Sequence, residues 1–270
     1  MALGAVVAAS LAVVGATATA APTGIFAIFS NCPLAALKQV GGEATRCVFG
    51  RITGGEMALA GVRVPIASAI ELEGGLIWTG NPENAKEFFL IPGANGQVLS
   101  NTELPIPAEG LTFTVEYAGS KTHPAIVNLI NLAREMGTAI VLPVKIHLKG
   151  PRLGYECDIG SQANPVELHL TDATTSPNPP NKPIKGHLGV FETPEEYGLS
   201  MLRGSAVLVD NTFTVPVAEG CGGRLAPVLD GLIDSRFKLP SSDGHNTAIM
   251  SGVQFNMATS ETVEASEKAP

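Results

Sequence analysis

Positive charge is scarce in this chain of 270 residues. The 17 Lys and Arg residues stand against 25 Asp and Glu residues, which gives a net charge of −8. No run of basic residues is longer than two. Because nucleic acids and anionic membrane surfaces attract clustered basic side chains, the sequence predicts neither of them as a partner.

Motifs that name a reaction or hold a metal are also missing. The sequence has no G-x-S-x-G, no H-E-x-x-H and no C-x-x-C, which argues against common serine hydrolases, zinc proteases and zinc ribbons. Aromatic residues make up only 5% of the chain, and Trp78 is its single tryptophan. We expect Trp78 to anchor a strand in the core rather than to form a sugar-stacking surface. No cofactor is predicted.

One serine motif remains. Ser235 and Lys238 have the S-x-x-K spacing, in which a lysine activates a serine from one helical turn away. Its companion motifs are absent, because S-D-G stands where S-D-N is required and no K-T-G follows. Ser235, Lys238, Asp243 and His245 are therefore only weak candidates for a hydrolase site. Lys238 is explained equally well by the dipole of a helix that ends there.

Scattered histidines and carboxylates give a second weak signal. His147 and His169 fall on the polar phases of two alternating segments, and with Glu167 they would form a metal site if those strands paired. A solvated sheet face explains them more simply, so no metal ligand is predicted. Asp230 and Asp234 lie four residues apart in a helical pattern and form either a carboxylate pair or the wet face of that helix.

The first twenty residues contain no charged side chain and are rich in Ala and Val. They end in Ala18-Thr19-Ala20, which is an A-x-A cleavage site, so residues 1–20 are predicted to be a secretory signal peptide. The usual basic residue before the apolar stretch is missing. An uncleaved anchor that extends through residues 25–29 and a buried helix remain alternatives. After cleavage we expect no stable membrane span and a secreted or cell-envelope protein.

Four cysteines in an exported chain favour two disulfides, for which three pairings exist. Pairing of neighbours along the chain, Cys32 with Cys47 and Cys157 with Cys221, closes one short loop and one long loop. In entropic models, a disulfide that closes a longer loop stabilises the folded protein more. We expect this pairing.

Most of the remaining chain has the pattern of short strands. Residues 111–117, 144–149 and 166–171 alternate apolar and polar side chains, which is typical of half-buried strands. Residues 206–209, 213–217 and 250–257 are further candidates. With 30 Gly and 20 Pro between such segments, the predicted fold class is mainly β, a disulfide-braced β-sandwich or flattened barrel.

Two segments follow a helical period instead. In residues 123–137, Pro124 suits the first turn of a helix and Gly137 suits its C-terminal cap. Residues 224–237 likewise have Pro227 in the first turn. They predict two short α-helices that cover the sheet with their apolar faces in the core.

Residues 21–257 are predicted to form a single β-rich domain. The Pro-rich stretch 172–186 either divides it into two subdomains or forms a long surface loop, which a Cys157–Cys221 bridge across it would favour. Residues 258–270 are polar, acidic and free of aromatic residues, so we expect a disordered tail.

Several short segments together resemble a pattern that recurs in secreted actinobacterial proteins of uncharacterised activity. They are Cys157-Asp158-Ile159-Gly160-Ser161, residues 164–186, Asp210-Asn211-Thr212-Phe213, Gly220-Cys221-Gly222-Gly223 and His245-Asn246-Thr247-Ala248. The resemblance implies export and a Gram-positive envelope setting, and no catalytic residue follows from it.

These observations favour an exported envelope or extracellular protein with a binding or structural role and no enzymatic activity. A secreted hydrolase assembled from distant residues is one alternative. A carrier of an apolar ligand is another, because a β-fold rich in Ile, Val and Leu can enclose a cavity.

Overall fold

The computed structural model describes residues 21–40, 45–84, 86–107 and 109–269. The predicted signal peptide, residues 1–20, lies outside the described residues. Within them the architecture is mainly β and antiparallel, as the alternating segments predict. Among the described residues, no helix has both the length and the apolar character to cross a membrane.

The strands, in chain order, are β1 (Thr45–Ile52), β2 (Gly54–Leu59), β3 (Val62–Pro65), β4 (Ile70–Trp78), β5 (Glu87–Pro92), β6 (Glu103–Ile106), β7 (Leu111–Tyr117), β8 (Ile126–Asn128), β9 (Ile140–Lys149), β10 (Asp158–Ile159), β11 (Val166–Leu170), β12 (His187–Glu192), β13 (Glu195–Glu196), β14 (Leu199–Ser200), β15 (Leu202–Asp210), β16 (Ala218–Glu219) and β17 (Asn246–Thr259). The helices are α1 (Leu34–Val40), α2 (Leu129–Arg134), α3 (Ala226–Phe237) and α4 (Ser260–Ser266), with 3-10 turns at Gly24–Phe29 and Gly223–Leu225.

Eight of the strands form a flattened antiparallel barrel. Their order is β15-β17-β1-β4-β5-β8-β9-β11. The ring closes where Thr171, directly after β11, pairs with Val209 of β15 through two backbone hydrogen bonds of 2.9 and 2.8 Å. Closure is confined to this end, because β12 pairs with the rest of that edge of β15.

Two long strands connect the barrel to a second layer. Residues 140–144 of β9 pair with β8 and β11 in the barrel, whereas residues 144–149 pair with β7 and residues 146–147 with β10. β17 likewise pairs with β2 through residues 246–251 and with β1 through residues 254–259. Gly252 lies between these two parts of β17 with φ +59°, and a Cβ there would lie 2.3 Å from Thr53 Oγ1. Glycine therefore suits this junction.

A main hydrophobic core runs through both layers, and a smaller one lies beside the N-terminal segment. The smaller core includes the buried side chains of Phe26, Phe29, Leu37 and Val263. Residues 25–29 are thus part of a short 3-10 helix whose phenylalanines pack in the protein.

Both expected disulfides are present, Cys32–Cys47 and Cys157–Cys221. The second joins the residue before β10 to the loop between β16 and α3. Structural disulfides persist in oxidising compartments, so the pair indicates an extracytoplasmic environment.

The helix predicted over residues 123–137 is wrong in extent. Residues 126–128 pair as β8, and only residues 129–134 are helical. The boundary lies at Asn128, whose side chain accepts hydrogen bonds from the N–H groups of Ile130 and Asn131. The helix ends at Arg134, and Glu135, with φ +49°, is its left-handed cap instead of Gly137.

The second helix, α3, lies where the sequence predicts it, but of the five residues predicted to share its core face, Leu225, Val228, Leu229, Leu232 and Ile233, only Ile233 is buried. Leu225, Val228 and Leu232 are exposed, and Ile233 and Phe237 are buried. The inward stripe of α3 is therefore rotated relative to the stripe that its apolar residues predict.

The prediction of a disordered tail from residue 258 is also wrong. β17 continues to Thr259, and α4 follows it with Val263 fully buried. Thr259 caps this helix by accepting a hydrogen bond from the Thr262 N–H, and Thr23 Oγ1 donates to the Ser266 carbonyl. These contacts hold the acidic segment against the N-terminal 3-10 turn.

The Pro-rich stretch 172–186 is a packed loop. Thr174 pairs with Lys185, and the Asn181 side chain donates to the carbonyls of Asn211 and Asn246. Residues 213–217, predicted as a strand, contribute only an isolated bridge between Val215 and Ser241.

Candidate functional site

The structure does not bring the four hydrolase candidates together. Ser235 and Lys238 are exposed, and Lys238 is the left-handed cap after the last turn of α3. Asp243 accepts a hydrogen bond from an Asn side chain of the Pro-rich loop, and His245 Nδ1 lies 3.3 Å from the hydroxyl of Ser242. His245 Nδ1 also lies 3.4 Å from the backbone carbonyl of Asp243, but no hydrogen bond joins the side chains of any two of the four candidates, all of which the structure describes.

The residues considered for a metal site are likewise separated. β9 and β11 do pair, but His169 stands opposite Val141, whereas His147 stands opposite Asp158. Glu167 lies 2.9 Å from His169 Nε2, and this hydrogen bond is the main reason why the pKa of Glu167 is lowered. Within the described ranges, no group of three or more potential ligands has a geometry suited to a metal ion.

Asp230 and Asp234 are neither a catalytic pair nor simply a wet face. Asp230 Oδ1 accepts a hydrogen bond from the Cys221 N–H at 2.8 Å, and Asp234 Oδ1 accepts one from the Ala218 N–H at 2.8 Å. The two carboxylates therefore attach α3 to β16 and to the disulfide loop.

Trp78 is not a core anchor. Its side chain is partly exposed at the end of β4, and its indole N–H lies 3.4 Å from the Asn84 carbonyl.

A cleft of about 610 Å³ lies on the outer face of β7, β9, β10 and β16. The strand register brings its polar side chains together: Glu116 stands opposite Lys145, and Asp158 stands between His147 and Glu219. Side chains alternate along a strand, so Lys145 and His147 face the cleft while their neighbours enter the core.

Asp158 organises the floor of this cleft. Its Oδ1 lies 2.7 Å from His147 Nδ1, and its Oδ2 accepts a hydrogen bond from Lys145 Nζ at 3.0 Å. Lys145 Nζ also lies 3.1 Å from Glu116 Oε2. His147 is only 9% exposed, so the contact with Asp158 provides a partner for one nitrogen of a nearly buried ring and fixes the orientation of that ring.

The charges on the floor bias Lys145 toward its protonated form. Burial alone would lower the pKa of Lys145. The hydrogen bonds and charges of the Asp158 and Glu116 carboxylates raise it by more, so the pKa of Lys145 lies above its ordinary value. Lys145 is therefore a fixed cation and not a proton acceptor at neutral pH.

The rim of the cleft differs from its floor. Glu156, Glu219 and Tyr155 are exposed, and Tyr155 retains 98% of its accessible surface. The structure, within the part of the chain that it describes, gives the carboxylates of Glu156 and Glu219 no hydrogen bond or ion pair. With four carboxylates against one lysine, the cleft carries about three negative charges when His147 is neutral.

An Asp–His pair also occurs in nucleophilic enzymes, where the imidazole contacts a hydroxyl. Here Ser161, the serine of the cleft lining, instead accepts a hydrogen bond from the Asn164 N–H at 3.2 Å. Over the described ranges, the ring of His147 contacts Asp158 and has no hydrogen bond to a hydroxyl. The arrangement provides fixed charges and hydrogen-bonding groups, and no covalent step follows from it.

The polar phases of two alternating segments identify Lys145, His147 and Glu116, but they do not predict the cleft. Asp158 lies in a strand of two residues, which is too short to show a period. No local sequence signal gives the register that places Asp158 opposite His147.

A second, apolar cavity lies inside the barrel. Its volume is about 80 Å³, and all but one of its lining side chains are apolar or absent. It is lined by Val48, Gly50, Arg51, Ile52, Leu72, Leu76, Val127, Leu129, Leu132, Ile140, Leu142, Leu170, Leu208, Val253, Phe255 and Met257.

The fold and the cleft thus define a mainly β, disulfide-linked protein with an acidic polar cleft on one sheet face. Comparison of the chain with known protein families, curated proteins and solved structures finds no match.

Proposed function

We propose that this protein is exported and acts outside the cytoplasm as a binding protein for an organic ammonium ligand, which it holds in the cleft around Asp158. The observation that carries the proposal is the division of that cleft into a floor whose charged groups pair with one another and an acidic rim. Lys145 and His147 are engaged by Asp158, whereas Glu156 and Glu219 are exposed and, among the described residues, without partners.

The rim suits a cation for two reasons. Two free carboxylates attract an ammonium group through charge and hydrogen bonds, and the adjacent exposed ring of Tyr155 offers a face for a cation–π contact. The volume of about 610 Å³ falls in the range of ordinary small-molecule sites. The net charge of −8 adds long-range attraction for the same ligands.

Export rests on the predicted signal peptide and on the oxidising environment that the two disulfides indicate. The resemblance to secreted actinobacterial proteins supports the same placement, in a cell envelope or its surroundings. Amine-bearing envelope components, such as amino-sugar polymers, are ligands of the required class.

Calorimetric titration with spermidine tests the proposal. We expect saturable binding to the wild type, and we expect the double variant Glu156→Gln/Glu219→Gln to bind at least about tenfold more weakly, since each lost ion pair removes part of the attraction. Tyr155→Ala should weaken binding by about two- to fivefold through loss of the cation–π contact.

The matched control is Glu83→Gln/Glu261→Gln, which removes the same net charge from two exposed sites elsewhere. This control should bind spermidine as the wild type does. An equal loss of spermidine affinity in both double variants would show that only net charge matters and would contradict a site at the cleft rim. Absence of spermidine binding to the wild type would refute the ligand class.

A further inference from the structure

The interior of the barrel contains space that its own side chains could fill. Close-packed protein interiors rarely contain a void larger than one water molecule, whereas this cavity measures about 80 Å³. A dry apolar cavity of about 150 Å³ in another protein binds benzene or xenon, so the present one has room for a smaller apolar group.

Gly50 is the reason for part of this space. It lies in the middle of β1, and Val48 and Ile52, two residues away on either side, line the cavity from the same face of the strand. A Cβ at Gly50 would make only ordinary contacts, with Leu72 Cβ at 3.7 Å as the nearest atom. Its φ is not in the left-handed region.

Gly50 neither forms a bulge nor relieves a clash between backbones. The pairing of β1 with β4 and with β17 is continuous through this position, so no bulge lies there. Gly74 and Gly204 are different, because an added Cβ would lie 2.2 Å from the Ile91 carbonyl oxygen and 2.3 Å from the Phe255 ring. Gly50 is thus a strand glycine that leaves room on the cavity side, as expected where a ligand approaches closely.

The cavity has an entrance. Arg51 does not mark this entrance, because it alternates with Gly50 and Ile52 along β1 and faces outward, where its guanidinium lies 3.8 Å from Glu71. Several inward apolar residues, among them Ile52, Leu129 and Ile140, are not fully buried. Apolar surface therefore remains accessible inside the barrel.

We propose that the barrel interior is a binding site for the end of an alkyl chain, which enters beside the half-buried Ile52, Leu129 and Ile140 and occupies the space that Gly50 leaves open. The volume limits the inserted part to a few carbon atoms, and the lining offers that part no hydrogen-bonding side chain apart from Arg51, which faces outward. This site is separate from the polar cleft, and the proposal for the barrel interior does not depend on the proposal for the cleft.

Methyl NMR with straight-chain alcohols from butanol to octanol tests this site. We expect saturable shifts confined to methyl groups of the lining, such as those of Ile52, Ile140 and Val253. In Gly50→Val the dissociation constant should rise at least about tenfold, because the added methyl groups occupy the same space. Gly231→Ala, on the exposed side of α3 with open space around it, is the matched control and should bind as the wild type does.

If Gly50→Val does not fold, Gly50→Ala and xenon provide the same comparison with a smaller change. Absence of saturable shifts in the wild type, shifts in methyl groups outside the lining, or equal binding by the filled variant would each overturn the proposal. Spermidine titration of the same samples reports separately on the polar cleft.

Discussion

Between pH 4 and 8, the free energy of unfolding should fall less in Asp172→Asn than in the wild type. Asp172 follows the bridge that closes the barrel, and its side chain is fully buried. Neither carboxyl oxygen forms a hydrogen bond with another residue in the part of the chain that the structure describes. An ionised carboxylate without a partner is costly to bury.

The magnitude follows from the pKa. Burial, reinforced by the nearby Glu135 carboxylate, raises the pKa of Asp172 from 3.8 to about 6, although His187 opposes this change. A carboxyl group whose pKa is higher in the folded state binds its proton more tightly there. The stability that this proton contributes is complete below pH 4 and is lost as the pH rises through about 6. About 2 pKa units correspond to about 3 kcal/mol.

The assay is urea denaturation of the wild type and of Asp172→Asn at closely spaced pH values between 4 and 8. Between these limits the wild type should lose about 3 kcal/mol more of its unfolding free energy than the variant loses. The difference across pH is the readout, because a buried amide without partners has its own cost, which does not vary with pH.

Asp210→Asn is the matched control, because Asp210 is also fully buried but has partners. Its carboxylate accepts hydrogen bonds from the His169 N–H at 2.7 Å and from both the N–H and the hydroxyl of Thr212. The control should lose about 1–3 kcal/mol at neutral pH, since the amide cannot accept all three bonds. Parallel pH profiles for the wild type and Asp172→Asn would refute the reasoning about Asp172.

Three further predictions follow from the fold. Non-reducing peptide mapping should recover both disulfides. Cys157→Ser/Cys221→Ser should lower the free energy of unfolding by about 4 kcal/mol and Cys32→Ser/Cys47→Ser by about 3 kcal/mol, because the first bridge closes the longer loop. Equal losses in the two variants would contradict this entropic argument. Val263→Ala should lower the free energy of unfolding by about 2 kcal/mol, whereas the control Val228→Ala, on the exposed face of α3, should lower it by less than about 0.5 kcal/mol. Equally small losses in both variants would contradict the packing of α4. N-terminal sequencing of the secreted protein should begin at or near Ala21, and a start at Met1 would contradict the cleaved signal peptide.

The mainly β fold could be predicted because alternation is a local property of the chain. β7, β9 and β11 each show it over at least five residues, and both disulfides follow from pairing of neighbours in sequence. The closure of the barrel at Thr171 and Val209 could not be predicted in this way. It depends on the register between strands that lie far apart in the chain.

The face of α3 shows why an apolar pattern alone misleads. The residues turned toward the protein include Asp230 and Asp234, whose carboxylates accept backbone N–H groups, beside the buried Ile233 and Phe237. These hydrogen bonds rotate the helix away from the orientation that apolar residues alone predict, and Val228 remains exposed.

The tail shows the converse case. α4 is held by one apolar residue, Val263, and by small hydroxyl side chains that have partners, such as Ser260, which lies 2.6 Å from Thr45 Oγ1. Buried serines with partners look like exposed ones in a sequence, so composition indicated disorder where the structure has a helix.

A crystal structure of the protein with spermidine tests the central claim most directly. We predict electron density for the polyamine in the cleft, with one ammonium group within hydrogen-bond distance of Glu156 or Glu219 and within about 6 Å of the Tyr155 ring centroid. Lys145 and His147 should keep their contacts with Asp158. An empty cleft at a spermidine concentration that saturates binding in solution, or a polyamine held at another surface, would contradict the claim.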